Sequence, residues 1–395
     1  MIALVEPGQE LTPELISRYS RQLMLPGFGE ASQRRLRAAR VLVIGAGGLG
    51  SALVPALAGT GVGTIGVLDD DTVELSNLPR QLSHGVADLG RAKTDSLAET
   101  VSATDPSVTV VTHRERATAQ TLPALLEDYD LLVDGSDNFP TRYLADDTAS
   151  LAGKPLVWGS ILRFQGQVGV SVPSVGFRDL FPVPPQASEV LSCELGGVLP
   201  SLCVTVGSLM ATEVVKLITG IGDPLVGRVL FYDALTARTQ EIGYARAEGT
   251  PAVTELVDYE LFCAGPSAGD AEELPSVSAA ALLAETREGE ARLLDVREPH
   301  EVAARRIPGA AVLPLGELEG GAPVPPELLA ATAPLVVYCA QDPRSRRAVR
   351  LLRERGIDAV YLAGGIRAFA ELGGETIGAE ADAEPRVEPA RGGRA

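Results

Sequence analysis

Between residues 41 and 160 the chain alternates short, wholly apolar runs with longer stretches whose apolar positions recur at helical spacing. "VLVI" (41–44), "TIGVLD" (64–69), "SVTVVT" (107–112), "DLLVDGSD" (130–137) and "PLVWGS" (155–160) read as strands, and "SALVPALAGTG" as a helix behind a glycine turn. Strands that are apolar at every position are buried on both faces, and strands separated by helices run parallel. The pattern therefore predicts an α/β unit with a Rossmann-like, doubly wound sheet. "GQVGVSVP" (166–173) alternates and extends the sheet, and a helix is predicted from about Leu199 to Ile218, with Pro200 near its start and Gly220 past its end.

From about 244 to 275 periodicity fades, and "CAGPSAGDAEELP" has linker composition. It returns in "ARLLDVRE" (291–298), "PLVVYC" (334–339), the helix "SRRAVRLLRERG" (345–356) and "DAVYLAGG" (358–365), a second, smaller α/β unit. The expected layout is a domain at 1–245, a linker at 246–273, a domain at 274–377 and a tail at 378–395 with too little to bury, predicted disordered.

Composition narrows the classes. The 395 residues suit two domains, and 52 acids against 34 bases give a net charge of −18, which argues against nucleic-acid binding. The 28 residues Val41–Leu68 carry no charge, but they hold eight glycines and lead into "DDD", so strand, turn, helix and strand explain them better than a membrane span. The first 40 residues are dotted with charges, with no secretory pattern, and a cytoplasmic protein is expected. The cysteines Cys193, Cys203, Cys263 and Cys339 form no CxxC.

"VLVIGAGGLGS" places Gly45, Gly47 and Gly50 in GxGxxG spacing after a strand, where backbone N–H groups approach phosphates at a helix N-terminus. Asp69, 19 residues past Gly50, ends the next strand at the position of a ribose-binding carboxylate. Alone this fits NAD as well as ATP. Asn77, Arg80 and Gln81 follow in "DDDTVELSNLPRQ", Lys93 in "LGRAKTDS", and Asp137 and Asn138 in "DGSDN". Two cations and a carboxylate at converging strand ends suit a triphosphate with Mg2+, and a nicotinamide needs none of them.

"RYSRQLMLPGFG" (18–29), "GAGGLGS", "DDDTVELSNLPRQ" and "DGSDN" together resemble the adenylating domain of ubiquitin-activating-like enzymes, the MoeB/ThiF family. "RDLFPVPP", "CELGGVLPSLC", "EVVKLITGIG" and "TELVDYELFC" extend the resemblance over roughly residues 10–245 and into the segment behind. It implies that Gly47 and Gly48 touch ATP, Asp69 the ribose, and Ser76, Asn77, Leu78, Pro79 and Arg80 the phosphate region. It also implies that Lys93 contacts the phosphates, Asp137 holds Mg2+ and Asn138 contacts the nucleotide. Arg21 would reach across a homodimer into the partner's ATP site, and Cys193 matches a family cysteine near the activated carbonyl. Some family members hold structural zinc with two CxxC pairs. Here "RDLFP" and "FCAG" stand in their places, so no structural zinc is expected.

In the second unit, "LLDVREPHE" (293–301), "RIPGA" (306–310), "YCAQDPRS" (338–345) and "LAGGIRAF" (362–369) resemble a rhodanese. Cys339, at a strand end ahead of a helix, faces backbone N–H groups that stabilise a thiolate or persulfide, and Arg344 adds positive charge. Asp342 stands where a glycine is usual and Pro343 where a small apolar residue is frequent. An extra carboxylate and a distorted cradle are the expected costs.

The resemblance implies an ATP-dependent adenylyltransferase fused to a sulfurtransferase. It would adenylate the C-terminal Gly-Gly of a ubiquitin-like sulfur-carrier protein and convert it to a thiocarboxylate with sulfur from Cys339. Thiosulfate or a cysteine desulfurase would supply the sulfur, in molybdopterin synthesis or another thiolation pathway. The alternatives are an adenylating enzyme whose rhodanese only docks partners, and an NAD-linked oxidoreductase.

Overall fold

The computed structural model describes residues 2–185, 196–264, 274–288, 292–328, 333–340 and 342–378. It divides into two compact units, Met1–Pro266 and Ser267–Ala395.

The first unit is built on eight strands: β1 (Arg40–Ile44), β2 (Thr64–Leu68), β3 (Thr109–His113), β4 (Leu131–Asp134), β5 (Leu156–Leu162), β6 (Gln165–Ser171), β7 (Arg228–Asp233) and β8 (Arg238–Gly243). Their order in the sheet is β3-β2-β1-β4-β5-β6-β7-β8. The five strands from β3 to β5 are parallel, and β6, β7 and β8 continue antiparallel. The last strand, β8, left no apolar signal in the sequence: it reads RTQEIG and every residue of it is exposed.

Among the described residues ten helices accompany them: α1 (Pro13–Arg18), α2 (Ser20–Leu23), α3 (Gly29–Ala38), α4 (Gly50–Thr60), α5 (Lys93–Thr104), α6 (Leu122–Glu127), α7 (Phe139–Leu151), α8 (Phe177–Leu180), α9 (Pro200–Thr219) and α10 (Tyr259–Ala264). One core joins Leu53, Leu57, Val206, Met210 and Val214 of α4 and α9 to Val41, Val43 and Val157 of the sheet. The other gathers Leu42, Leu132, Tyr143, Trp158 and Phe177. Burying each large apolar side chain contributes about 1.5–3 kcal/mol. Among the described residues α9 alone is long and apolar enough to cross a bilayer, and most of it is buried in the core. The uncharged run Val41–Leu68 is β1, the glycine turn, α4 and β2.

The first unit runs beyond residue 245. The segment expected as linker carries α10, whose Tyr259 is buried and donates its hydroxyl to Asp147 at 2.6 Å. Phe262 meets Tyr143 edge-on with ring centroids 5.4 Å apart, and Cys263 joins the same core. Six ordered residues ahead of a polar, glycine-rich stretch give too short a period to read.

The second unit has five parallel strands, β9 (Ser276–Val277), β10 (Leu293–Asp295), β11 (Ala311–Val312), β12 (Leu335–Tyr338) and β13 (Ala359–Leu362), in the order β11-β10-β12-β13-β9. Its helices are α11 (Ala279–Glu288), α12 (Pro299–Ala304), α13 (Leu315–Glu319), α14 (Pro343–Glu354) and α15 (Gly365–Glu371). Leu294, Val337 and Leu352 fill one face and Leu293, Val336, Tyr338 and Phe369 the other. A buried pair, Asp295 with Arg297 at 2.6 Å, joins the end of β10 to the Arg305 carbonyl after α12. The tail expected to be disordered lies, past Gly378, outside the described residues.

A chain ending at residue 245 strips Tyr259, Phe262 and Cys263 from the first core. Its melting temperature is expected to fall by on the order of 10 °C relative to a chain ending at residue 266. Equal melting of the two in a calorimeter would show that α10 adds nothing to this unit.

Candidate active site

The first site forms where β1, β2 and β4 end. Gly45 turns the chain with φ +93°, and a Cβ on it would lie 3.0 Å from the Gly135 carbonyl oxygen. Gly50 opens α4 so close to the turn that a Cβ would lie 1.9 Å from the Gly45 carbonyl oxygen. The N–H groups of Gly47 to Leu49, at the mouth of α4, form an anion-binding end, while the Gly45 N–H is taken by the Leu68 carbonyl. Gly48 rests on Cys203 of α9: its Cβ would lie 3.1 Å from Sγ. Cys203 is fully buried, and burial pushes its thiol up against the opposing charge of Arg80, so it is a core residue. Gly47 faces the amide of the buried Gln81.

Asp69 accepts the Ala46 N–H at 2.7 Å and the Asp71 N–H at 2.9 Å. Burial pushes its carboxyl above the usual range, while those donors and the charge of Lys93 oppose the rise. Lys93, at the start of α5, is buried and bonded to Asp71 at 2.7 Å. The carboxylate oxygens of Asp69, Asp70 and Asp71 lie within 4.8 Å of one another, a cluster the sequence reading did not use. Ser76 and Asn77 sit in a single tight turn, Leu75–Asn77; the Asn77 Oδ1 accepts the Glu74 N–H at 3.1 Å, and Arg80 donates to the Ser76 carbonyl at 2.9 Å. Leu78 is half-buried and Pro79 exposed between them.

After β4 the turn is clamped by residues that sequence reasoning missed. Asp134 is buried, accepts from Ser136 and pairs with Arg142 Nε at 3.0 Å; Arg142 also donates to the carbonyls of Ser136 and Gly159 at 2.9 Å. Asn138 caps α7, its Oδ1 accepting the Thr141 N–H at 2.9 Å, which leaves its Nδ2 donors for a ligand. Asp137 is exposed between Ser136 and Asn138 and has no protein partner among the described residues. A carboxylate so placed suits magnesium, which takes one or two protein oxygens and completes its shell with phosphate and water. Arg21 is exposed on α2. Cys193 lies outside the described residues.

His84 was also missed as a site residue. It is buried, with Nε2 3.0 Å from the Ala46 carbonyl of the glycine turn and Nδ1 2.8 Å from Ser96 Oγ. Ala46 is thus held from both sides, its N–H by Asp69 and its carbonyl by His84. Burial lowers the His84 pKa below the usual 6.5, keeping the ring neutral.

In the second unit Cys339 directly follows β12, fully buried, with Sγ 3.5 Å from Ser345 Oγ. Arg344 reaches Glu301 of α12 through both terminal nitrogens, at 2.6 and 2.8 Å. Burial works to raise the Glu301 carboxyl, but the guanidinium and the Glu298 N–H outweigh it and hold the carboxyl below its usual range. Asp342 itself carries no backbone strain. Its φ of −109° suits any residue, and its carboxylate turns to the Gly364 N–H at 2.6 Å. Its carbonyl accepts the Ser345 hydroxyl at 3.0 Å, and Pro343 fits the first turn of α14.

A family model described as the ThiF family matches residues 19–251, and one described as the Rhodanese-like domain matches residues 278–372. The chain belongs to the ThiF family. It is 45% identical over 383 residues to the probable adenylyltransferase/sulfurtransferase MoeZ of Mycobacterium tuberculosis, covering 93% of this chain and 96% of that protein. The adenylyltransferase and sulfurtransferase MOCS3 of Bos taurus is 39% identical, covering 89% and 84% of the two chains. The sulfur carrier protein adenylyltransferase of Thermus thermophilus is 44% identical over 64% of this chain and 98% of its own. Among solved structures, Escherichia coli MccB with MccA-N7isoASN has a TM-score of 0.54 at 20% identity over 60% of this chain and 75% of that one, a likeness of fold. The expected class, a Rossmann-like adenylating fold followed by a rhodanese-like fold, is thereby met, and the ThiF assignment leaves an NAD-linked oxidoreductase without support.

The depressed His84 pKa has a defined consequence. The unfolded chain takes up a proton below about pH 6.5 and the folded chain does not, so this part of the stability is full above that pH and lost as pH falls. His84→Gln should flatten the decline in thermal stability below about pH 6.5 and raise the KM for ATP severalfold. An unchanged KM would remove His84 from the support of the glycine turn.

Proposed function

We propose that this chain adenylates the C-terminal glycine of a ubiquitin-like sulfur-carrier protein and then transfers sulfur to it from a Cys339 persulfide. What carries the reading is the joining, in one chain, of a crevice holding Lys93, Arg80 and Asp137 to a unit presenting Cys339 beside Arg344.

The carrier carboxylate attacks the α-phosphorus of ATP, an acyl-adenylate forms and pyrophosphate leaves. Arg80 and Lys93 offset the charge on the departing pyrophosphate, Lys93 turning from Asp71 to the phosphates. Asp137 would hold the Mg2+ that accompanies ATP, and that ion neutralises phosphate charge. Cys193 takes up the acyl group as a transient thioester, displacing AMP. The Cys339 persulfide anion then attacks the acyl carbon and displaces Cys193. A cellular thiol opens the resulting acyl disulfide, releasing the thiocarboxylate and leaving a mixed disulfide on Cys339; a second thiol frees Cys339. The reducing cytoplasm supplies such thiols, and we assign the protein there. Thiosulfate or a cysteine desulfurase reloads Cys339.

A homodimer, with Arg21 entering the partner's ATP site, is supported by exposed apolar side chains in the loops that follow β2: Leu75 at 71%, Leu82 at 62% and Val86 at 72% exposure. The absence of structural zinc is supported by the donor set. Where the family's CxxC pairs would stand, Arg178 pairs with Asp147 at 2.6 Å and lies 4.4 Å over the Phe262 ring. A guanidinium cannot ligate zinc, and Cys263 alone supplies one of four ligands.

Cys339→Ala is expected to retain carrier-dependent ATP–pyrophosphate exchange and to yield no thiocarboxylate by intact mass. Loss of exchange as well would break the division of labour. Lys93→Ala and Asp137→Ala should each lower exchange by about 100-fold or more, and an unchanged rate would remove that residue from the site. Elemental analysis finding one zinc per chain would refute the zinc-free reading.

A further inference from the structure

One donor at the sulfur site is unused. Arg344 is 7% exposed and commits both terminal nitrogens to Glu301, yet its Nε is buried with no acceptor among the described residues. A buried N–H without an acceptor loses its hydration and gains nothing in return. If the Glu301–Arg344 pair only stapled α12 to α14, this donor would have no purpose. The pair is also electrically balanced. Once Cys339 carries a second sulfur, the persulfide anion brings a further negative charge into a buried loop, and burial of an unmatched charge is costly. The guanidinium interacts electrostatically with Cys339 as well as with Glu301.

Resting on the sulfur-transfer reading above, we propose that Glu301 is a positioning residue: by holding two nitrogens of Arg344 it keeps Nε–H vacant for the anionic outer sulfur that Cys339 acquires. Loading from thiosulfate is balanced. The Cys339 thiolate attacks the sulfane sulfur, a new S–S bond forms, the bond to the sulfonate sulfur breaks, and sulfite leaves with the electron pair. The outer sulfur is then a singly coordinated anion, matched to one N–H. Lysine cannot replace Arg344 here, because a compact ammonium cannot grip a carboxylate with a fork and present a third donor in a fixed direction. Glu301 lies within "LLDVREPHE", whose first acid serves elsewhere: Asp295 binds Arg297.

The charged or titratable groups around the pair are Cys339, Glu298 at the N-cap of α12, Arg297 before it, whose guanidinium lies over the Tyr338 ring, and Asp342 at the N-cap of α14. The test uses the full chain, loaded with thiosulfate and separately with a small-molecule hydropersulfide, and follows the gain of one sulfur by intact mass across pH. Glu301→Gln is expected to lower the maximal loading rate about tenfold with both donors, the scale of one charge-assisted hydrogen bond. It should also move the pH midpoint of loading downward, because a negative charge facing the sulfur is gone, and leave ATP–pyrophosphate exchange unchanged. If Glu301 acts through Arg344, Glu301→Gln combined with Arg344→Lys loads no more slowly than Arg344→Lys alone. Unchanged loading, a slower rate with an unmoved midpoint, or losses that multiply in the double variant each overturn the proposal. A loss confined to thiosulfate does so too, since Arg344 would then be holding the sulfonate. Failure of the unaltered chain to load at all overturns both this proposal and the sulfur-transfer reading.

Discussion

The first unit depends on the approach of two backbone segments that a single methyl group would prevent. Between Gly45 and Gly50 the chain leaves β1 and enters α4 in a turn tight enough that a Cβ on Gly50 would overlap the Gly45 carbonyl. That turn also touches Gly135, so the end of β4 is brought against the end of β1. Asp69 and His84 fasten Ala46 from opposite sides. The anion-binding amides, the cations that follow β2 and the acidic turn after β4 therefore gather at one end of the sheet.

Both units then use buried charge for the same purpose. Asp134 with Arg142 sets the turn carrying Asp137, Lys93 is held by Asp71, and Arg344 is held by Glu301. A buried ion pair adds little net stability, since desolvation offsets most of the attraction. What it supplies is direction. A guanidinium gripped at two nitrogens cannot rotate, and what it presents with the third is fixed. The Lys93–Asp71 pair differs, because Asp71 is largely exposed and the lysine stem is flexible. That pair can open to admit phosphates, whereas the Arg142 and Arg344 clamps are built to stay closed.

Asp342 shows how chain geometry decides between readings of one residue. As a letter in a loop that often has glycine, it predicts strain and an adverse charge. In the fold its backbone is right-handed and its carboxylate is spent on the Gly364 N–H, so neither the strain nor a free charge arises at this residue. Likewise, the segment read as linker contains a helix whose tyrosine completes an ion pair 112 residues away.

The sequence by itself determined the two-unit plan, the strands from β1 to β6, α9, the glycine turn and the order of the charged motifs. Each of these is written within a window of a few residues, where apolar period and turn chemistry act locally. Only the tertiary structure decided that Arg142 answers Asp134, that His84 braces the turn, that β7 and β8 close the sheet and that Glu301 grips Arg344. Such pairings join residues distant in the chain or exposed in a hairpin. Their energy comes from burial and fixed geometry, and neither exists until the chain is folded.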